Sequence, residues 1–175
     1  MRKILVVVDM QKDFVDGALG SKEAVAIVDN VVNKINEFDG EIIVTYDTHQ
    51  NNYMKTREGK YLPVPHCIKG TDGWKIDAKV QDALDSKLHN VIHKPTFGST
   101  KLVEMLDGYN QFNTEVTLIG LCTDICVVSN AMLLKANYPE MDIIVDASCC
   151  AGVTPESHSA ALTTMKMCQI NVVNE

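Results

Sequence analysis

Six short apolar runs alternate with stretches of helical spacing along the whole chain, and no other feature limits its fold so tightly. The runs Ile4–Val8, Glu41–Tyr46, Asn90–His93, Val116–Leu121, Asp142–Ala147 and Ile170–Val173 are mostly continuous Val, Ile and Leu. Continuous rather than alternating apolar character is expected of strands covered on both faces. Between them, Ala24, Ile27, Val28, Val31, Val32 and Ile35 recur at i, i+3, i+4 spacing, and Gly40 suits the stop. Further helices are predicted over Ile76–Ser86, Ser99–Tyr109, Thr123–Ala136 and Pro155–Cys168, the last with proline in its first turn. Strand–helix alternation of this kind predicts an α/β protein, a three-layer α/β/α sandwich around a parallel sheet with right-handed crossovers. At 175 residues the chain is one domain, 1–175, with no repeat, linker or low-complexity segment.

Three of the predicted strands end on a residue with chemistry. Ile4–Val8 stops at Asp9, Asn90–His93 stops at Lys94, and Val116–Leu121 leads through a short polar turn to Cys126. The carboxyl edge of an open parallel sheet is where ligands bind. Charged residues often end strands, so any one of these is incidental alone; three complementary groups at one edge are not. A helix start exposes unpaired N–H groups and a partial positive charge, which stabilises a thiolate. Cys126 is therefore a candidate nucleophile, although many cysteines are simply small buried hydrophobes.

The segment Asp47–Trp74 breaks the alternation, having no clear periodicity. A loop that long in a compact domain is usually functional. Asp47-Thr-His49 leaves the second strand, and His66 follows Pro63-Val-Pro65, which stiffens the approach. Imidazole and carboxylate suit Zn²⁺, Fe²⁺ or Mn²⁺, while histidines in exposed loops are commonly plain surface residues.

A net charge of −7 leaves no basic patch for nucleic acid or an anionic membrane. Met-Arg-Lys followed by five apolar residues is too short for a signal peptide, and no later run can span a bilayer, so a cytoplasmic protein is expected. Six cysteines then read as free thiols, with the adjacent Cys149 and Cys150 as packing residues.

Asp9-Met-Gln-Lys-Asp13-Phe14, Lys94 with Phe97-Gly-Ser, and Gly120-Leu-Cys-Thr-Asp124-Ile-Cys126-Val resemble the three signature blocks of the isochorismatase-like cysteine hydrolases, in order and spacing. Within that superfamily the chain looks most like the metal-dependent nicotinamidases. The resemblance runs from about Leu5 to Leu162 and implies a six-stranded sheet of order 3-2-1-4-5-6. It also implies a catalytic Asp9, Lys94 and Cys126, with an oxyanion hole from the backbone N–H groups of Cys122 and Cys126 and a cis Leu121–Cys122 bond. Asp47, His49 and the His66-Cys67 pair match the metal-binding positions, most simply for zinc, with Glu58 as a further carboxylate. Phe14 and Phe97 would be apolar walls for a small-molecule amide.

The chemistry implied is acyl transfer through a thioester. Asp9 takes the Cys126 proton and returns it to departing ammonia, water then cleaves the thioester, and Lys94 steadies both anions. One departure stands out: many nicotinamidases carry an aromatic residue three positions before the second metal histidine, and this chain has Pro63, preceded by Tyr61 and Leu62. A carbamoyl or ureido substrate therefore stays open beside nicotinamide. A phosphoacceptor or binding domain on a similar fold is the alternative from another class, but it explains neither Cys126 nor the Met10 that follows Asp9. Asp13 reads as an exposed loop carboxylate or as an aid to ordering the loop, and His158 as structural. Homo-oligomers are common among the resembling proteins; no interface is legible in the chain.

Overall fold

The computed structural model describes residues 1–175. Six strands, β1 (Arg2–Val8), β2 (Glu41–Asp47), β3 (His89–Lys94), β4 (Thr114–Leu121), β5 (Asp142–Ala151) and β6 (Asn171–Val173), form one sheet of order β3-β2-β1-β4-β5-β6. Every pairing is parallel. The helices are α1 (Lys12–Val15), α2 (Lys22–Glu37), α3 (Arg57–Tyr61), α4 (Ala78–Asp85), α5 (Thr100–Leu106), α6 (Val128–Asn137) and α7 (Pro155–Met167). None is long and apolar enough to cross a membrane.

β1 shows why the strands read as continuous apolar runs. Ile4, Val6 and Val8 enter the core beneath α5, α6 and α7, whereas Leu5 and Val7 enter the opposite core beneath α2 and α4. With both faces buried, the polar half of the strand period disappears. The same division places Cys149 in one core and Cys150 in the other, as packing residues, and all six cysteines are unpaired.

Local signals set the helix boundaries. Ser21 caps α2 by accepting from the Ala24 N–H at 3.0 Å. Asp77 caps α4, so that helix starts later than the predicted Ile76. Thr154 and Ser157 form a capping box ahead of α7, with Pro155 at its first position. Two elements differ from expectation. β5 runs past Ala147 to Ala151, because the β4–β5 register shifts between Leu118 and Gly120 and lets Cys150 and Ala151 pair with Gly120 and Leu121. The predicted helix over Thr123–Ala136 opens with a π turn, Thr123–Val127, before α6 begins.

Gly120 explains how β4 lies so close to β1. Its φ is +112°, and a Cβ there would come within 2.1 Å of the Val8 carbonyl oxygen. Gly120→Ala is expected to destabilise the fold by about 3 kcal/mol, from left-handed strain plus overpacking. Urea unfolding, comparing midpoints at unchanged slope, checks this; a shift below about 1 kcal/mol would contradict it.

Candidate active site

The strand order brings the ends of β1, β2, β3 and β4 together at the carboxyl edge, where Asp9, Asp47, Lys94 and Cys126 converge. Asp9 is fully buried, with φ at +47°, a backbone region that a non-glycine residue seldom adopts. Its N–H reaches both the carbonyl (3.2 Å) and the hydroxyl (3.3 Å) of Thr45, and the Thr45 hydroxyl donates to Asp9 Oδ1 at 2.6 Å. Lys94, 1% exposed, lies at the centre of the site. Its Nζ stands 2.6 Å from Asp9 Oδ2, 3.4 Å from Cys126 Sγ and 3.8 Å from Asp47 Oδ1, and donates to the Thr96 carbonyl at 3.1 Å.

Cys126 sits in the π turn, closed by Val127 N–H donating to the Cys122 carbonyl at 3.0 Å. Asn130 holds this turn from α6, donating to the Cys126 carbonyl (2.8 Å) and the Phe97 carbonyl (3.3 Å) while accepting from Ser99 N–H (2.9 Å). The Leu121–Cys122 bond is cis.

Burial dominates the charge states of the site. Burial pushes the Cys126 thiol well above its ordinary pKa, and the neighbouring Asp9 carboxylate adds to the effect. The helix-start field does not suffice to ionise a thiol so fully desolvated, and Cys126 rests protonated. Burial also raises the Asp9 carboxyl, outweighing the Lys94 charge. Burial alone would lower the Lys94 ammonium, but Asp9, Cys126 and Asp47 hold it above its usual value, so it stays charged. A carboxyl raised in this way is a better match as base for a thiol.

Beside this triad Asp47, His49, Glu58 and His66 present four ligand atoms within 4.8 Å of one another. His49 Nε2 is 3.0 Å from Asp47 Oδ2 and 3.5 Å from Glu58 Oε1; His66 Nε2 is 3.5 and 3.7 Å from the same two oxygens. A cation bound at roughly 2.1 Å in tetrahedral geometry imposes ligand separations of about 3.4 Å, so the four groups fit one. His49 Nε2 is also a buried atom with no directed hydrogen bond. Burial lowers the His49 pKa, but Asp47 and Glu58 carry it to about 9, and the two imidazoles in turn hold Asp47 well below the carboxylate range against burial. The cluster draws positive charge.

The local fold aims these groups. His66 Nδ1 lies 2.8 Å from the Val64 carbonyl, which turns Nε2 toward the carboxylates. Thr56 caps α3 and so presents Glu58 in its first turn. Cys67 gives only backbone: its side chain is buried in the core, and its N–H donates to Asp13 Oδ2 at 2.7 Å. Asp13 is thus a half-buried anchor for the His66 loop rather than an exposed carboxylate. Gln11, fully buried, accepts from Asp47 N–H (2.7 Å) and donates to the Asp47 carbonyl (2.9 Å) and the Trp74 carbonyl (2.8 Å). Sequence reasoning passed over Thr45 and Asn130 and took Gln11 only as part of the first signature block; a glutamine three residues past the end of β1 was the one available hint. His158 is structural as expected, its Nδ1 2.8 Å from the Thr123 hydroxyl.

Both groups open onto one cavity of about 420 Å³. Phe14, Leu62, Phe97 and Ile125 supply apolar wall, and Cys122 and Cys126 line it opposite Asp47, Glu58 and His66. Phe97 remains 43% exposed, at the rim. No lysine or arginine lines the space. Leu62, not an aromatic ring, stands on the wall before His66; Tyr61 is 78% exposed and turned toward Arg57.

Known proteins share this fold and stretches of this sequence. An uncharacterised isochorismatase family protein of Bacillus subtilis is 31% identical over 93% of each chain. The crystal structure of a nicotinamidase/pyrazinamidase from Bacillus subtilis superposes with a TM-score of 0.87 at 26% identity, covering 99% of this chain and 100% of that one. The pyrazinamidase of Pyrococcus horikoshii, solved in complex with zinc, superposes with a TM-score of 0.77 at 26% identity and full coverage of both chains. The profile of the isochorismatase domain matches residues 3–174, and the chain belongs to the isochorismatase family.

Proposed function

We propose that this protein is a cysteine amidohydrolase that converts nicotinamide to nicotinate and ammonia. One observation carries the reading: Lys94 Nζ lies within 3.8 Å of Asp9, Cys126 and Asp47 together, which joins a nucleophile and its base to a metal-ligating group on a single cavity. The Bacillus subtilis structure bearing the nicotinamidase/pyrazinamidase name supports it.

In this reading Asp9 removes the Cys126 proton, and the thiolate attacks the carboxamide carbon while Lys94 offsets its charge. The backbone N–H groups of Cys122 and Cys126 receive the oxyanion; one such donor lowers a barrier by roughly 3 kcal/mol. Asp9 then gives its proton to the nitrogen as the C–N bond breaks, and ammonia departs. Water attacks the thioester, its proton returning through Asp9 to the departing sulfur. Asp47, His49, His66 and Glu58 would hold a divalent ion, zinc being the simplest choice for two imidazoles and two carboxylates and Fe²⁺ or Mn²⁺ also compatible. Such an ion, when bound, would supply Lewis acidity beside the cavity, a point to which a ring nitrogen could be anchored. Phe14, Phe97 and Leu62 would supply the apolar wall against the ring.

Leu62 in place of an aromatic ring keeps the carbamoyl or ureido reading in view. Against it, substrates of that class that carry a carboxylate would meet Asp47 and Glu58 with no cationic side chain on the wall. A neutral ring amide fits better. Six unpaired cysteines suit a reducing, cytoplasmic setting.

Incubation with nicotinamide, pyrazinamide and a panel of carbamoyl and ureido compounds, measuring ammonia with and without chelator, tests the proposal. Chelator-sensitive release from nicotinamide supports it. Release from ureido compounds alone would replace the substrate, and release from none would remove the amidase reading.

A further inference from the structure

Resting on that amidase reading, we propose that Thr45 is a positioning residue that divides the labour of the two Asp9 oxygens, keeping Oδ1 as a fixed acceptor and leaving Oδ2 to carry the proton. Thr45 lies on β2 opposite Val8 in the β1–β2 register, with its side chain fully buried against the Asp9 carboxylate. A threonine hydroxyl has one hydrogen, and its rotor is normally free to choose an acceptor. Here the Asp9 N–H approaches the hydroxyl oxygen at 3.3 Å, which occupies a lone pair and turns the hydrogen outward. The hydroxyl donates it to Asp9 Oδ1 with an oxygen–oxygen distance of 2.6 Å, the length of a charge-assisted O–H···O bond. That bond keeps Oδ1, buried beside β2, in the role of acceptor.

Oδ2 has a different partner, one that can follow the charge to sulfur. It faces Lys94 Nζ at 2.6 Å, and it is a buried atom for which no hydrogen bond of ordinary geometry is made. Lys94 in turn touches Cys126 Sγ at 3.4 Å, so the ammonium that faces Oδ2 also borders the sulfur. In the first step the S–H bond breaks and an Oδ2–H bond forms, the negative charge passing from carboxylate to sulfur beside Lys94. In the second the Oδ2–H proton moves to the amide nitrogen as the C–N bond breaks. Both transfers use one oxygen, and the carboxylate never has to rotate between them. Without the hydroxyl the carboxylate is free to turn, and a proton placed on Oδ1 points toward β2, away from sulfur and substrate.

Thr45→Val keeps the shape, and the Asp9 N–H keeps the residue-45 carbonyl as acceptor (3.2 Å), so the fold has a means to persist. Thr45→Ser restores the hydroxyl without the methyl. For wild type and both variants, kcat and KM for nicotinamide would be measured per active site, counted by stoichiometric alkylation of Cys126. The rate of that alkylation by iodoacetamide, followed by intact mass, reads Asp9-assisted thiol ionisation without any substrate. Thr45→Val should lose about 10- to 100-fold in kcat with KM within about threefold, slow alkylation comparably, and Thr45→Ser should recover most of both. Wild-type kcat and alkylation in Thr45→Val, or a Thr45→Ser variant as impaired as Thr45→Val, would overturn the proposal. If no amide is hydrolysed even by wild type, yet alkylation still ranks threonine and serine far above valine, the positioning role stands and the amidase reading falls.

Discussion

Cys126→Ala is expected to reduce ammonia release from nicotinamide by at least about 10⁴-fold, because every later step depends on the thioester this sulfur forms. Cys149→Ala and Cys150→Ala should retain most turnover, since both side chains are buried in the two cores and neither lines the catalytic cavity. Those two variants also control for general loss of thiols. Steady-state ammonia production with intact-mass confirmation of each protein measures the contrast. Substantial turnover by Cys126→Ala would end the thioester mechanism and leave Asp9 to activate water directly.

The second large effect concerns the ion. His49→Ala removes a ligand that lies 3.0 Å from Asp47 and 3.5 Å from Glu58, and leaves two carboxylates facing one another with less to hold. The variant should lose its bound divalent metal, and KM for nicotinamide should rise on the order of 100-fold or more, since even outer partners of metal ligands cost 10- to 100-fold. Because the ion anchors substrate in this reading rather than activating the thiol, iodoacetamide should still modify Cys126 at near the wild-type rate. Elemental analysis of the purified protein, kinetics and alkylation together separate the roles. Unchanged nicotinamide affinity in His49→Ala would take the ion out of the mechanism and favour a ureido or carbamoyl substrate.

Much of this architecture was legible in the residues, for reasons that also mark where legibility stops. Ile4–Val8 is wholly buried on both faces, so its apolar run announces an inner parallel strand. Asp9, Lys94 and Cys126 stood out because they interrupt or follow such runs, and the strand order then unites them. Glu58 was harder: its place depends on α3, a five-residue helix too short to show periodicity. Thr45 left no sign at all, since threonine in a strand reads as one more β-branched packing residue. Its contact with Asp9 exists only through the pairing of β1 with β2, distant in sequence. The π turn around Cys126 was equally silent, because an i→i+5 bond changes the backbone without changing the apolar pattern. The depth of the thiol's burial was hidden for a similar reason: a helix start is local, whereas burial is a property of the finished fold.

Asp9 carries one more implication. It combines a left-handed backbone, complete burial and a carboxyl raised by desolvation, each of which works against the folded state. A library selected only for heat resistance would gain at position 9 only by replacing Lys94 as well, since the buried ammonium 2.6 Å away would otherwise lose its counter-charge, and such paired replacements would strip the site of its proposed base. The untapped thermal headroom of this scaffold lies inside its reaction centre, so thermostabilisation has to be screened together with turnover and directed at other positions.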